Sequence, residues 1–390
     1  MMLYLTALNP TDSVRDGLLP AAAALGLPVT VLTDRPDDWP ETAPVRGCAV
    51  RDPHAVAEAV RDGPAPAGLL SNSDHLQAAT ALAARHLGLP GKDPEAARRC
   101  KDKAATRRAV ADAGLDAVRA RLLAPDRPAA FDVFPAVVKP RDGVASEDAY
   151  LVADEADLAR RVTEIRGRRP DASLVVEEYL PGDVRTHDTL GDAETMTVLG
   201  GWRTTLGPPP TFTELCLEWA PTPPATADAL RAQLDALGVR FGACHTEFVV
   251  HRDRPRLIEV NDRLIGDRMD LILAELLGVP LFEYVIRLHL GEPVADLHLP
   301  DPATIGQTAR VEYVCADRGG TLVAAPGPVD TVRDGVRLGC RPLRTVGTTA
   351  ERTGTNRDYL AVLHAIGPDP VAVGRALVEF RAELDWVIAA

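Results

Sequence analysis

The sequence predicts an α/β protein that opens on a parallel, Rossmann-like sheet, and three observations carry that expectation. Short apolar runs alternate with helical patterns through the first ninety residues. Longer strand patterns follow, paired as hairpins and separated by single helices, which adds an α+β part. The chain has 390 residues, 46% of them hydrophobic and 25% charged, enough for two or three domains with real cores.

In order, LYLTAL, VRDGLLPAAAALG and VTVLTD read as strand, helix, strand, and AVAEAVRDG and AGLLSNSD continue the alternation. No G-x-G-x-x-G follows the first strand, so a dinucleotide site is not expected there. Ser71, Asn72, Ser73 and Asp74 follow AGLL at the carboxyl edge, where such sheets place ligands; turn chemistry explains the same cluster equally well. Pro94 to Ala113 reads as one helix ending at Gly114. FPAVVKP is a buried strand, DGVASEDAYLV a loop leading into a strand, and ASLVVEEYLPGD a strand entering a turn. TLGDAETMTVLGG reads as a hairpin, Thr226 to Leu237 as a helix, and FGACHTEFVV and RLIEVND as two strands. Gly291 to Pro302 is a Pro- and Leu-rich connector, taken as a boundary, and Val371 to Leu384 is a closing amphipathic helix.

Composition narrows the partners. With 43 basic against 56 acidic residues the net charge is −13, and no basic stripe offsets it, so nucleic acid is not an expected partner. Cys48, Cys100, Cys216, Cys244, Cys315 and Cys340 lie far apart without a C-x-x-C pair, which reads as reduced thiols in a cytoplasmic protein. The N-terminus lacks a basic n-region and reads as a first strand, not a signal peptide. No apolar stretch approaches the ~18 residues of a membrane span. Only four of the basic residues are lysines: Lys92, Lys101, Lys103 and Lys139. In an arginine-rich chain, a lysine that survives is a candidate for a compact ammonium, although Lys92 and Lys101 fit a solvated surface as well.

The strongest chemical signal lies between Phe241 and Arg263. FGACHTEFVV and RLIEV flank a five-residue loop, His251 to Pro255. Pairing Val250 with Arg256 sets Glu247 opposite Glu259, and strand alternation puts Asn261 and Arg263 on the same face as Glu259 if the strand persists that far. Opposed Cβ atoms lie about 4.5–5.5 Å apart, where like charges destabilise a sheet. Two carboxylates and an amide oxygen converging there are best explained by a hard cation such as magnesium, completed by water and phosphate oxygens; a solvated sheet face carrying unrelated acids is the alternative. A second signal is Lys139 at the end of FPAVVKP. Burying its charge costs several kcal/mol unless it is paired or binds an anion. The small-residue loop with Gly143 and Ser146 follows it and could close over phosphates.

Together and in order, these pieces resemble the ATP-grasp superfamily. DKAATRRAVADAG resembles its D-K-x-x-x-R segment, FPAVVKPRDGVASEDAYLV its lysine strand and phosphate loop, LVVEEYLPGD its adenine hinge, and GACHTEFVVHRDRPRLIEVNDRLIGD its metal-binding hairpin. The resemblance implies a Rossmann-like domain at 1–95, a two-lobed α+β ATP-grasp module at 96–290 with a lid lobe at about 122–192, and a C-terminal lobe at 291–390. It implies that Lys103, Lys139 and Ser146 meet ATP phosphates and that Glu177, Glu178, Tyr179 and Leu180 lie along the adenine. Glu247, Glu259 and Asn261 would hold magnesium, or manganese in its place, and Arg263 would bind the carboxylate or its acyl phosphate. Two departures stand out. Val184 occupies a position where relatives often carry a ribose-binding acid, leaving Asp183 or Asp188 to substitute, and the phosphate loop carries an unexpected acidic pair, Glu147-Asp148.

Within the superfamily the sequence is closest to amino-acid ligases and to the proteins of siderophore and other natural-product pathways. The resemblance rests on TALNPTDSVRDGLLPAAAALGL and GPPPTFTELCLEWAP. Arg203, Glu214 and His245 are then candidates for substrate contact. The implied activity joins a small-molecule carboxylate to an amine at the expense of ATP, with a homodimer as one assembly. A carboxylase or formyl-transfer relative and a non-catalytic nucleotide-binding protein are the alternatives.

Overall fold

A computed structural model describes residues 1–39, 44–115, 118–125 and 129–389. Met2–Thr6, Val29–Thr33, Val45–Gly47 and Pro66–Leu70 form a parallel sheet, ordered 45–47, 29–33, 2–6, 66–70. The loops leaving residues 6 and 70 meet at its carboxyl edge, where the Ser71 hydroxyl donates to the Thr6 carbonyl at 2.7 Å. Several helices start on an Asp-Pro step. Asp52, Asp93 and Asp369 each accept a backbone N–H from the first turn, while the following proline occupies a position whose own N–H would be unpaired.

The helix expected over 94–113 is instead two, Pro94–Lys101 and Lys103–Asp112. Asp102 leaves the helical region (φ −95°, ψ 98°) and its carboxylate accepts from the Ala105 N–H at 3.1 Å, so it ends one helix and caps the next. Arg141 holds the other carboxylate oxygen. Periodicity does not register such a break, because the apolar spacing continues through it.

A lid of four antiparallel strands follows, ordered Ala120–Leu123, Leu174–Glu178, Ala136–Pro140, Tyr150–Val152, with helix Glu155–Arg168 packed on it through Leu158, Val162 and Ile165. The largest sheet has ten strands. Its main path runs Arg254–Asn261, Phe241–His251, Val184–Asp192, Trp202–Leu206, Glu214–Trp219, Thr308–Cys315, Tyr359–Gly367, Val336–Pro342, Val329–Arg333. This sheet crosses the connector at 291–302, since Glu214–Trp219 pairs directly with Thr308–Cys315. One apolar core spans the same junction, joining Leu3 and Leu5 of the first sheet to Leu273 and Ile286 of two helices and to Val311 and Val362. Burial of that continuous surface holds the N-terminal sheet to the central one.

Lys92 is not a solvated lysine. Its ammonium is buried and donates to the carbonyls of Phe241 (3.1 Å) and Ala243 (2.8 Å) and to Asp262 (2.6 Å). Lys92→Met leaves Asp262 without its counter-charge and is expected to cost about 3 kcal/mol in chemical denaturation. A loss below about 1 kcal/mol would show that this clamp is dispensable.

Candidate active site

The acid-bearing hairpin forms, but not by the expected turn. Arg252 and Asp253 make a two-residue connection with φ of 52° and 61°, the sign that a tight hairpin turn of type I′ needs. The ladder therefore starts one residue out of the expected register, with Val250 opposite Pro255 and Val249 opposite Arg256. A bulge between Glu247 and Phe248 takes up the difference, and Glu247 does face Glu259. The strand ends at Asn261. Arg263 lies beyond it but still reaches the same cavity.

Two cavities meet at this carboxylate pair. An apolar cleft of about 990 Å³, mouth included, runs between the lid and the central sheet, walled by Val137, Leu180, Val249 and Leu257. A polar cavity of about 940 Å³ continues from it, lined by Asn261, Arg263, His245 and Asp74. Glu214, Glu247, Glu259 and Ser146 line both. Burial pushes the Glu247 carboxyl up, and Glu259 adds to the shift. Burial also raises Glu214, with help from Glu247, to about 8. Glu259 goes the other way, because Lys103 and Lys139 outweigh its burial. Three crowded carboxyls with unequal proton affinities make a site that gains from a bound cation.

The lysines meet these acids. Lys103 donates to Glu259 and to the Gly143 carbonyl, both at 2.9 Å. Lys139 bonds Glu177 at 3.0 Å, and burial lowers its affinity for a proton despite that partner. Arg107 also holds Glu177 at 3.0 Å, and the two cations overcome burial to bring its carboxyl down to about 2. Lys101, half-buried nearby, has no hydrogen-bond or ion-pair partner among the described residues. All four lysines thus cluster around the hairpin.

Several expected positions differ. Asp183 is exposed and outside the cleft lining, and Asp188 is buried against His245 Nδ1 at 2.7 Å, so neither is placed as a ribose acid. Arg203 points to the outer face of its strand, where it pairs with Glu218 across the ladder and not with a cavity. The Glu177 and Glu178 side chains are not free for a nucleotide. The first is taken by Arg107 and Lys139, and the second accepts from the Arg119 N–H and Arg256, both at 2.9 Å. Tyr179 and Leu180 line the cleft. The Ser146 hydroxyl donates to the Phe212 carbonyl at 3.0 Å. His187 is buried beside Thr222 at 3.1 Å, its imidazole lowered to about 4 by burial.

His245 lines the polar cavity, and Asp188 holds its imidazole above the ordinary value against the effect of burial. Arg263 donates to Asp74 at 2.7 Å and to the Leu264 carbonyl at 2.6 Å. The sequence leaves Asp74 equally between a ligand-edge and a turn reading and assigns Arg107 no role, although it ends the D-K-x-x-x-R motif. Among the described residues no group of three or more His, Cys, Asp or Glu is arranged to hold a metal by itself. Two carboxylates and an amide suit a cation whose remaining ligands are phosphate oxygens and water. No described helix is long and apolar enough to cross a membrane.

No protein-family model matches the chain. It is 29% identical over 346 residues to an uncharacterized protein, y4rH, of Sinorhizobium fredii, covering 83% of this chain and 68% of that one. It is 30% identical over 305 residues to carnosine synthase 1 of Gallus gallus, covering 67% of this chain but only 32% of the synthase. Among solved structures, the L-amino acid ligase of Bacillus licheniformis superposes with a TM-score of 0.82 at 21% identity, covering 100% of this chain and 98% of the ligase. At that identity the likeness establishes the fold.

Proposed function

Because this chain has the ATP-grasp fold, we propose that it is an ATP-dependent carboxylate–amine ligase. ATP would transfer its γ-phosphoryl group to a carboxylate oxygen, releasing ADP. An amine would then attack the acyl carbon, forming the C–N bond and expelling phosphate. The observation that carries the reading is the junction itself: Glu214, Glu247 and Glu259 beside Lys103 and Lys139, where an apolar cleft opens into a polar cavity.

The apolar walls suit a purine, and Lys103 and Lys139 stand at the inner end of the cleft where phosphates would lie. Glu247, Glu259 and Asn261 would hold magnesium, which neutralises phosphate charge as it develops on transfer. Arg263, which donates to Asp74, would bind the carboxylate undergoing activation. Glu214, which lines both cavities, would pair with the ammonium of an amino acid as the activated acid. The comparisons with an L-amino acid ligase and a carnosine synthase support the same substrate class. A place in siderophore or other natural-product biosynthesis rests on the resemblance of the opening segment and of the PPPTFTE segment.

The test is nucleotide product analysis with magnesium, ATP, and a pool of amino acids, hydroxy acids and amines. ADP and phosphate should form only when an acid and an amine are both present, and AMP with pyrophosphate would overturn the mechanism. In the same assay Lys139→Ala is expected to weaken ATP binding at least about tenfold, or roughly 1.4 kcal/mol. Unchanged nucleotide affinity would remove Lys139 from the phosphate site.

A further inference from the structure

The acidic pair Glu147-Asp148 has no part in the chemistry above, yet it lies in the loop that roofs the junction of the two cavities. That loop joins Ala136–Pro140 to Tyr150–Val152. Ala145, Ser146 and Asp148 adopt φ of 56°, 56° and 55°, a region that non-glycine residues leave unless their surroundings hold them. Part of the hold is local. Arg169 pairs with Glu147 at 2.8 Å and with Asp148 at 2.9 Å, and Arg168 pairs with Asp148 at 2.5 Å, all within the lid.

The rest comes from a turn about 210 residues away in the chain, between Thr349–Ala350 and Tyr359–Gly367. Arg357 Nε donates to Glu147 Oε1 at 2.5 Å, and the Asn356 N–H donates to the Ala145 carbonyl at 3.2 Å. This turn is itself tied by hydrogen bonds. Buried Asp358 accepts from the backbone N–H groups of Thr353 (2.9 Å) and Gly354 (2.6 Å), and Arg344 donates to the Arg357 carbonyl at 2.7 Å. Asn356 also accepts from the Glu214 N–H at 3.0 Å, so one turn grips both the loop and the strand that carries Glu214.

We propose that Arg357 is a positioning residue that latches the loop shut through Glu147 and shields the activated carboxylate from water until the amine attacks. The shielding role rests on the ligase reading, whereas the latch itself does not. The Arg357 side chain is 60% exposed, so the pair adds little to global stability and its effect is local. Opening the loop admits water, which would cleave the acyl phosphate to free acid and phosphate in place of amide.

Two measurements on the full chain separate these claims. In hydrogen–deuterium exchange without nucleotide, residues 141–149 should exchange at least about tenfold faster in Arg357→Met and in Glu147→Gln. The double variant should be no faster than the faster single, and Arg357→Lys should recover part of the protection. Wild-type rates in Arg357→Met, or fully additive effects in the double, would overturn the latch. With acid, amine and ATP present, Arg357→Met should raise phosphate released per amide formed severalfold, and an unchanged ratio would overturn the shielding role. If the wild type forms no amide from any pair, the ligase reading and the shielding fail together, while exchange still decides the latch.

Discussion

Glu259→Gln is expected to lower turnover by at least about 10³-fold, some 4 kcal/mol of transition-state stabilisation, while the protein still folds. Glu259 stands opposite Glu247 and takes the Lys103 ammonium at 2.9 Å. The amide keeps its size and one oxygen but no charge to offer a divalent cation. Lys103 retains the Gly143 carbonyl, and removing one of two opposed carboxylates relieves Glu247, so the thermal midpoint should hold. Steady-state kinetics across a magnesium titration, with thermal unfolding alongside, makes the measurement. Rates within about tenfold of the wild type at the same magnesium requirement would mean that the metal is held elsewhere.

Glu214→Gln should separate stability from function. Burial, with Glu247 adding to it, raises the Glu214 carboxyl from an ordinary value of 4.5 to about 8. The unfolded chain therefore gives up this proton more readily than the folded one. The contribution to stability is full below about 4.5 and is lost as pH rises through 8, the loss reaching roughly 3 kcal/mol by pH 7. In chelated, nucleotide-free buffer the amide variant should unfold at a higher temperature than the wild type at pH 7–9, with the difference vanishing near pH 4. Activity should fall at least about a hundredfold if Glu214 ionises to pair with a substrate ammonium, because the amide cannot. A variant no more stable than the wild type at pH 8 would show that Glu214 is not held against ionisation.

Local pattern was enough for much of the fold. Alternating strand and helix signals between residues 1 and 90 left few options besides a parallel sheet, because both periodicities are written in consecutive residues. The opposed acids at 247 and 259 were legible for the same reason. Twelve residues separate them, and a hairpin is a local structure. Even so, the expected turn and register were wrong, and a bulge restored the pairing. The scarcity of lysine was also informative, since all four lysines cluster around one hairpin.

Side-chain partners brought together by distant segments were not legible. Arg203 resembled a substrate residue until the ladder set it beside Glu218 on an outer face. Glu177 lies in the expected hinge, but its carboxylate is consumed by Arg107 from a helix 70 residues earlier and by Lys139 from the neighbouring strand. The site was therefore determined by sequence in its residue types and by tertiary structure in its assignments. Periodicity fixes which face of an element a residue occupies, whereas the partner that neutralises a buried charge depends on which elements pack together. That choice is made by long-range packing free energy and leaves no trace in local spacing.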